Sequence, residues 1–93
     1  MQELFHTLGT YLRKAREDNK LSQRQVADAL GYTSPQFISN FERGLCSPPL
    51  NKLRVLIDLY ELNANKVMGL ILDEQKKHLE RNLVKRSRKQ RSH

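Results

Sequence analysis

Apolar residues along the chain fall three and four positions apart, and no stretch alternates apolar and polar residues as a half-buried strand would. Leu4, Leu8, Tyr11, Leu12 and Ala15 form one stripe and predict a helix over about residues 3–19, ended by Asn19-Lys20. Ser22 followed three residues later by Gln25 is a capping-box signature, so a second helix starts there. Val26, Ala27 and Leu30 give that helix its inner face, and Gly31 stops it. Ser34 as cap and Pro35 at the first helical position open a third helix, where the missing proline N–H is harmless. Ile38 and Phe41 point that helix at the core, and Gly44 ends it. Pro48-Pro49 makes residues 45–49 a loop. Leu50, Leu53, Leu56, Ile57 and Tyr60 predict a fourth helix, and Asn63 or Asn65 opens a fifth that carries Val67, Met68, Ile71, Leu72, Leu79 and Leu83.

The expected fold class is therefore all-α, with five helices, the last one extended, and a basic C-terminal tail. Residues 1–66 are expected to form the folded domain. Residues 67–84 form a C-terminal helix suited to dimerisation, and residues 85–93, which contain no apolar side chain, form a disordered tail.

Length and charge sharpen this picture. A chain of 93 residues holds one small core, which leaves little stability to support a strained catalytic site. The formal net charge of +7 is not spread evenly. Residues 1–75 hold nine Lys or Arg and nine Asp or Glu, whereas residues 76–93 hold eight basic residues against Glu80. A basic block of this kind suits nucleic acid or an anionic membrane surface, or serves as a solvated tail that aids solubility.

Catalytic chemistry finds little support. His6, His78 and His93 lack metal-ligand spacing, and there is no nucleophile elbow or Gly-rich phosphate loop. No enzyme activity, cofactor or metal is expected. Cys46 is the single cysteine, which excludes an intrachain disulfide, fits a reducing cytoplasm and suggests a small, buried or half-buried apolar side chain. Asp73-Glu74 beside Lys76-Lys77 reads as a solvated, ion-paired helix face. No secretory signal is expected, and no apolar run is long enough for a membrane span.

The informative region is the pair of short helices joined through Gly31, an arrangement in which the second helix can enter the major groove of DNA. With Ile38 and Phe41 facing inward, Ser34, Gln36, Phe37, Ser39 and Asn40 are the candidate base-reading residues. Gln and Asn can bond adenine N6 and N7 in bidentate fashion, and Phe37 offers an apolar surface to a thymine methyl. The alternative for Phe37 is a core or subunit-contact residue. Ser22, Gln23 and Arg24 at one helix start, with Arg43, Asn51, Lys52 and Arg54 on the other side, are candidate contacts to the DNA backbone. Each lone Lys or Arg among them can equally be an ordinary surface residue.

Ser22-Gln23-x-x-Val26-Ala27-x-x-Leu30-Gly31, then Ile38-Ser39-x-Phe41-Glu42-Arg43-Gly44, then a Pro-containing loop and Leu50-x-x-Leu53-x-x-Leu56, resembles the lambda-repressor-like, Xre-type helix-turn-helix family. The resemblance covers roughly residues 8–63 and implies a five-helix DNA-binding domain that acts as a two-fold dimer. It makes Gln23 a phosphate contact, Gln36 and Asn40 base readers, Glu42 a structural acid and Gly44 a terminator. From Gly31 to Glu42 the chain is one residue longer than the commonest spacing of that family and carries Pro35, which shifts the register of Ser34 and Gln36.

The expected function is a cytoplasmic, bacterial or phage-encoded transcriptional regulator, a repressor in the first instance. It would bind double-stranded DNA as a homodimer through Met68, Leu72, Leu79 and Leu83, whose spacing is near-heptad. An antitoxin that neutralises a co-expressed toxin and represses its own operon is the alternative, so a toxin or another regulator is a possible protein partner. A non-specific binder of RNA or membrane through its tail is a second.

Overall fold

A computed structural model describes residues 5–84. It contains α1 (His6–Asp18), α2 (Gln23–Leu30), α3 (Gln36–Glu42), α4 (Leu50–Tyr60) and α5 (Ala64–Leu79), the last continuing as one π-helical turn over Glu80–Val84. The described residues contain no strand. The expected start of α1 near residue 3 and the tail at 85–93 lie outside the described residues.

The helix ends show why the chain breaks where it does. The Ser22 hydroxyl accepts from the Gln25 N–H at 3.0 Å while the Gln25 side chain accepts from the Ser22 N–H at 2.8 Å, completing the capping box. Asn63, rather than Asn65, caps α5, accepting from the Lys66 N–H at 3.0 Å. The first four helices all stop in the same way, with paired backward hydrogen bonds from a left-handed residue and the residue after it to the last turn of the helix. Gly31 and Gly44 supply the left-handed residue at φ +80° and +79°; Lys20 and Glu61 do the same at φ 59° and 56°. α3 begins one residue later than the Ser34-Pro35 signal suggests. Pro35 takes the cap position, and the Ser34 hydroxyl accepts from the Gln36 N–H at 3.1 Å.

The core is a single cluster that draws on every helix: Leu8 and Leu12 from α1, Val26, Ala27 and Leu30 from α2, Ile38 and Phe41 from α3, Leu53, Leu56 and Tyr60 from α4, and Val67 from α5. α1 lies directly on the end of α3. A Cβ at Gly9 would come within 2.5 Å of the carbonyl oxygens of Phe41 and Glu42, so only glycine allows this approach. The Phe5 N–H closes the same junction by donating to the Gly44 carbonyl at 3.2 Å.

Two further expectations need correction. Cys46 is exposed in the loop after α3, because the tight turn following Gly44 turns it outward. The acidic pair on α5 also splits. Asp73 makes the expected surface ion pair with Lys77 at 3.2 Å, but Glu74, one residue on, faces inward and is only 6% exposed.

Candidate nucleic-acid interface

α2, a five-residue turn over 31–35 and α3 form a helix-turn-helix, with the turn held from within. Tyr32, its second residue, donates its N–H to the Ala27 carbonyl and lays its ring between α3 and α4. The ring stacks on Phe37 at 4.4 Å with an 11° interplanar angle and tilts against Phe41 at 6.1 Å. From the other side the Lys52 ammonium stands 5.3 Å from the Tyr32 centroid and donates to the Leu30 carbonyl at 2.7 Å, satisfying an orphan carbonyl at the end of α2.

The inner face of α3 carries a charge. Glu42 is buried, and its carboxylate accepts from Arg16 Nε at 2.6 Å and Nη2 at 3.1 Å, a bidentate geometry. Gln23 Nε2 adds a third bond at 3.0 Å, and Arg16 Nη1 also donates to the Leu21 carbonyl at 2.8 Å. The hydrogen bonds that Arg16 donates to Glu42, ahead of the opposing cost of burial, raise the Arg16 pKa. Burial, with the Glu42 charge beside it, pushes the Tyr60 phenol well above its ordinary range. The start of α2, the end of α3 and the last turn of α1 are thereby locked to one another.

On the outer side of α3, Gln36 Nε2 donates to Asn40 Oδ1 at 2.9 Å, so the two amides stand as one linked pair. Phe37 is 43% exposed beside them despite its stacking on Tyr32. Ser34, Ser39 and Asn40 are half-buried and Gln36 is exposed. Of the candidate backbone contacts, Ser22, Arg24, Arg43, Asn51 and Arg54 are exposed, while Gln23 and Lys52 are half-buried with their donors engaged as described. The capping box takes the Gln25 N–H and leaves those of Gln23 and Arg24 without an intrahelical partner. Arg24 Nη1 donates to the Thr33 carbonyl at 3.4 Å, which brings the start of α2 to the turn that precedes α3.

Arg16 and Tyr32 were not singled out from the sequence. A buried acid at Glu42 demands a cation, but the sequence does not say which of the basic residues supplies it. Tyr32 gave no comparable signal. On α5, Met68, Leu72, Leu79 and Leu83 are 51–61% exposed, and a Cβ at Gly69 would meet nothing within 4 Å. No helix among the described residues is long and apolar enough to cross a membrane, and no cluster of potential metal ligands occurs among them.

Comparison with known proteins agrees with this geometry. A family model described as a helix-turn-helix domain matches residues 7–67. The uncharacterized HTH-type transcriptional regulator YobD of Bacillus subtilis strain 168 is 32% identical over 72 residues, covering 77% of this chain. The match spans 63% of YobD. Among solved structures, the clp gene regulator ClgR from Corynebacterium glutamicum superposes with a TM-score of 0.62 at 26% identity, over 86% of this chain and 89% of that one. Through a domain match that takes in α1 to the first turn of α5, and a turn and α3 built as described, the chain belongs to the helix-turn-helix domain family.

Proposed function

We propose that this chain is a sequence-specific, double-stranded DNA-binding transcriptional regulator of the Xre type, non-enzymatic and cytoplasmic, that represses from a two-fold-related operator as a homodimer. The observation that carries this reading is the linked Gln36–Asn40 pair on the outer side of α3. With Gln36 Nε2 donating to Asn40 Oδ1, Gln36 Oε1 remains as an acceptor and Asn40 Nδ2 as a donor. That combination complements the N6 donor and N7 acceptor of adenine. Phe37, Ser34 and Ser39 lie beside the pair, and Ser22, Gln23, Arg24, Arg43, Asn51, Lys52 and Arg54 provide the flanking contacts to phosphate. The names of YobD and ClgR, both regulators, support the same assignment.

The exposed apolar stripe of α5 is the basis for the homodimer, and it also suits a second reading, an antitoxin whose α5 engages a toxin. Selection of bound duplexes from a random pool tests the first reading. Gln36→Ala and Asn40→Ala should each cost ~1–3 kcal/mol on the enriched sequence and little on random DNA. Equal loss on both would reduce these residues to backbone contacts.

A further inference from the structure

We propose that the Phe37–Tyr32 stack reads the C5-methyl group of a pyrimidine, so that binding depends on a thymine methyl and responds to 5-methylcytosine in its place. This rests on α3 being the helix that enters the major groove. Phe37 lies on a seven-residue helix with 43% of its surface in water, an unfavourable exposure for an aromatic ring unless binding covers it. Tyr32 covers one face of the ring at 4.4 Å and is itself held by Phe41 on the core side and by the anchored Lys52 ammonium. An apolar surface is thus presented in a fixed position next to the Gln36–Asn40 pair, with its ordering completed on folding.

The chemistry of the groove identifies what that surface would meet. Every base pair offers hydrogen-bond donors and acceptors along the major-groove floor, but its one apolar projection is the C5-methyl of thymine. 5-Methylcytosine carries the same group at the same ring position. An amide pair suited to adenine beside an apolar wall suited to a methyl group fits an A·T-containing step better than a run of unmethylated G·C pairs.

The test uses the full chain and the duplex enriched from a random pool. Each thymine is replaced singly by uracil, which removes only the methyl. At one or more positions, uracil should weaken wild-type binding about threefold to tenfold. Cytosine placed at such a position should regain a similar factor when it is methylated at C5. Both effects should disappear in Phe37→Ala and shrink in Tyr32→Leu, and both should persist in Gln36→Ala. The inference is overturned if no uracil substitution matters to the wild-type protein, a measurement that needs no variant to fold. It is equally overturned if the uracil penalty is unchanged in Phe37→Ala. In either case, a Gln36→Ala loss confined to the enriched sequence would leave the reading role of α3 standing. If no sequence is enriched at all, both proposals fall together.

Discussion

Glu42 sits at the end of α3 where a carboxylate left alone would be strongly destabilising, and Arg16 meets it with a bidentate pair across 26 positions of sequence. Both side chains are largely withdrawn from water, at 12% and 4% exposure, so solvent screens this pair far less than the ladders Arg13–Glu17 and Lys14–Asp18 on the outside of α1. Arg16→Ala should therefore cost about 3–5 kcal/mol in urea unfolding, most of it from the stranded Glu42 charge. Replacing both partners, as Arg16→Met with Glu42→Leu, should recover most of that loss, because two matched apolar side chains need no counter-charge. A small loss for the single variant, unaltered by the second substitution, would show that water reaches the carboxylate. The pair also marks a limit of sequence reading. Ile38 and Phe41 announce the inner face of α3 by their spacing, and Glu42 was expected to be structural. The identity of its partner depends on how α1 crosses α3, which local periodicity does not encode.

At the scale of elements, helix starts and glycine stops were the most legible features. Ser22 with Gln25, Gly31 and Gly44 act through local hydrogen bonds and local backbone conformation, and each is found in that role. Lys20 and Glu61 occupy the same left-handed position without being glycine, a conformation that side chains disfavour and that the paired backward hydrogen bonds after α1 and α4 accompany. The α5 acids were misread for a similar reason. A run of charged residues looks solvated until the docking of α5 on the core turns Glu74 inward, where its Oε2 has no hydrogen-bond partner among the described residues. The opposite side of α5 is left with Met68, Leu72, Leu79 and Leu83, which the core of this chain does not cover. If a second copy covers them, Leu72→Asp with Leu79→Asp should convert a dimer into a monomer in sedimentation, while the helical circular dichroism of α1–α4 is kept. A wild-type chain that sediments as a monomer at tens of micromolar would remove the basis for the homodimer.

For the molecule as a whole, the distribution of charge sets long-range behaviour. Residues 1–75 are balanced, so general attraction to a polyanion must come mainly from residues 76–93. Lys85, Arg86, Arg88, Lys89 and Arg91 lie in the segment outside the described residues, and their contribution is measurable without structural detail. Each phosphate neutralised adds about −0.9 to the slope of log K against log salt, so deletion of residues 85–93 should flatten the slope by up to about 4–5 units per chain. Affinity for enriched and random duplexes should fall by similar factors, since phosphate contacts carry no direct sequence information. An unchanged slope would assign the tail to solubility or another partner. A collapse of the ratio between the two duplexes would make it a reader of groove shape.

The two sides of α3 have different obligations. Ile38, Phe41 and Glu42 answer to α1 and the core, whereas Gln36, Phe37 and Asn40 answer to one another, to Tyr32 and to whatever lies outside. On the proposed reading of DNA by α3, folding and target choice are written in separate letters of one short helix. Such a domain can be readdressed: a few outward side chains can be exchanged by mutation, or grafted from a relative, while the scaffold that presents them is inherited intact.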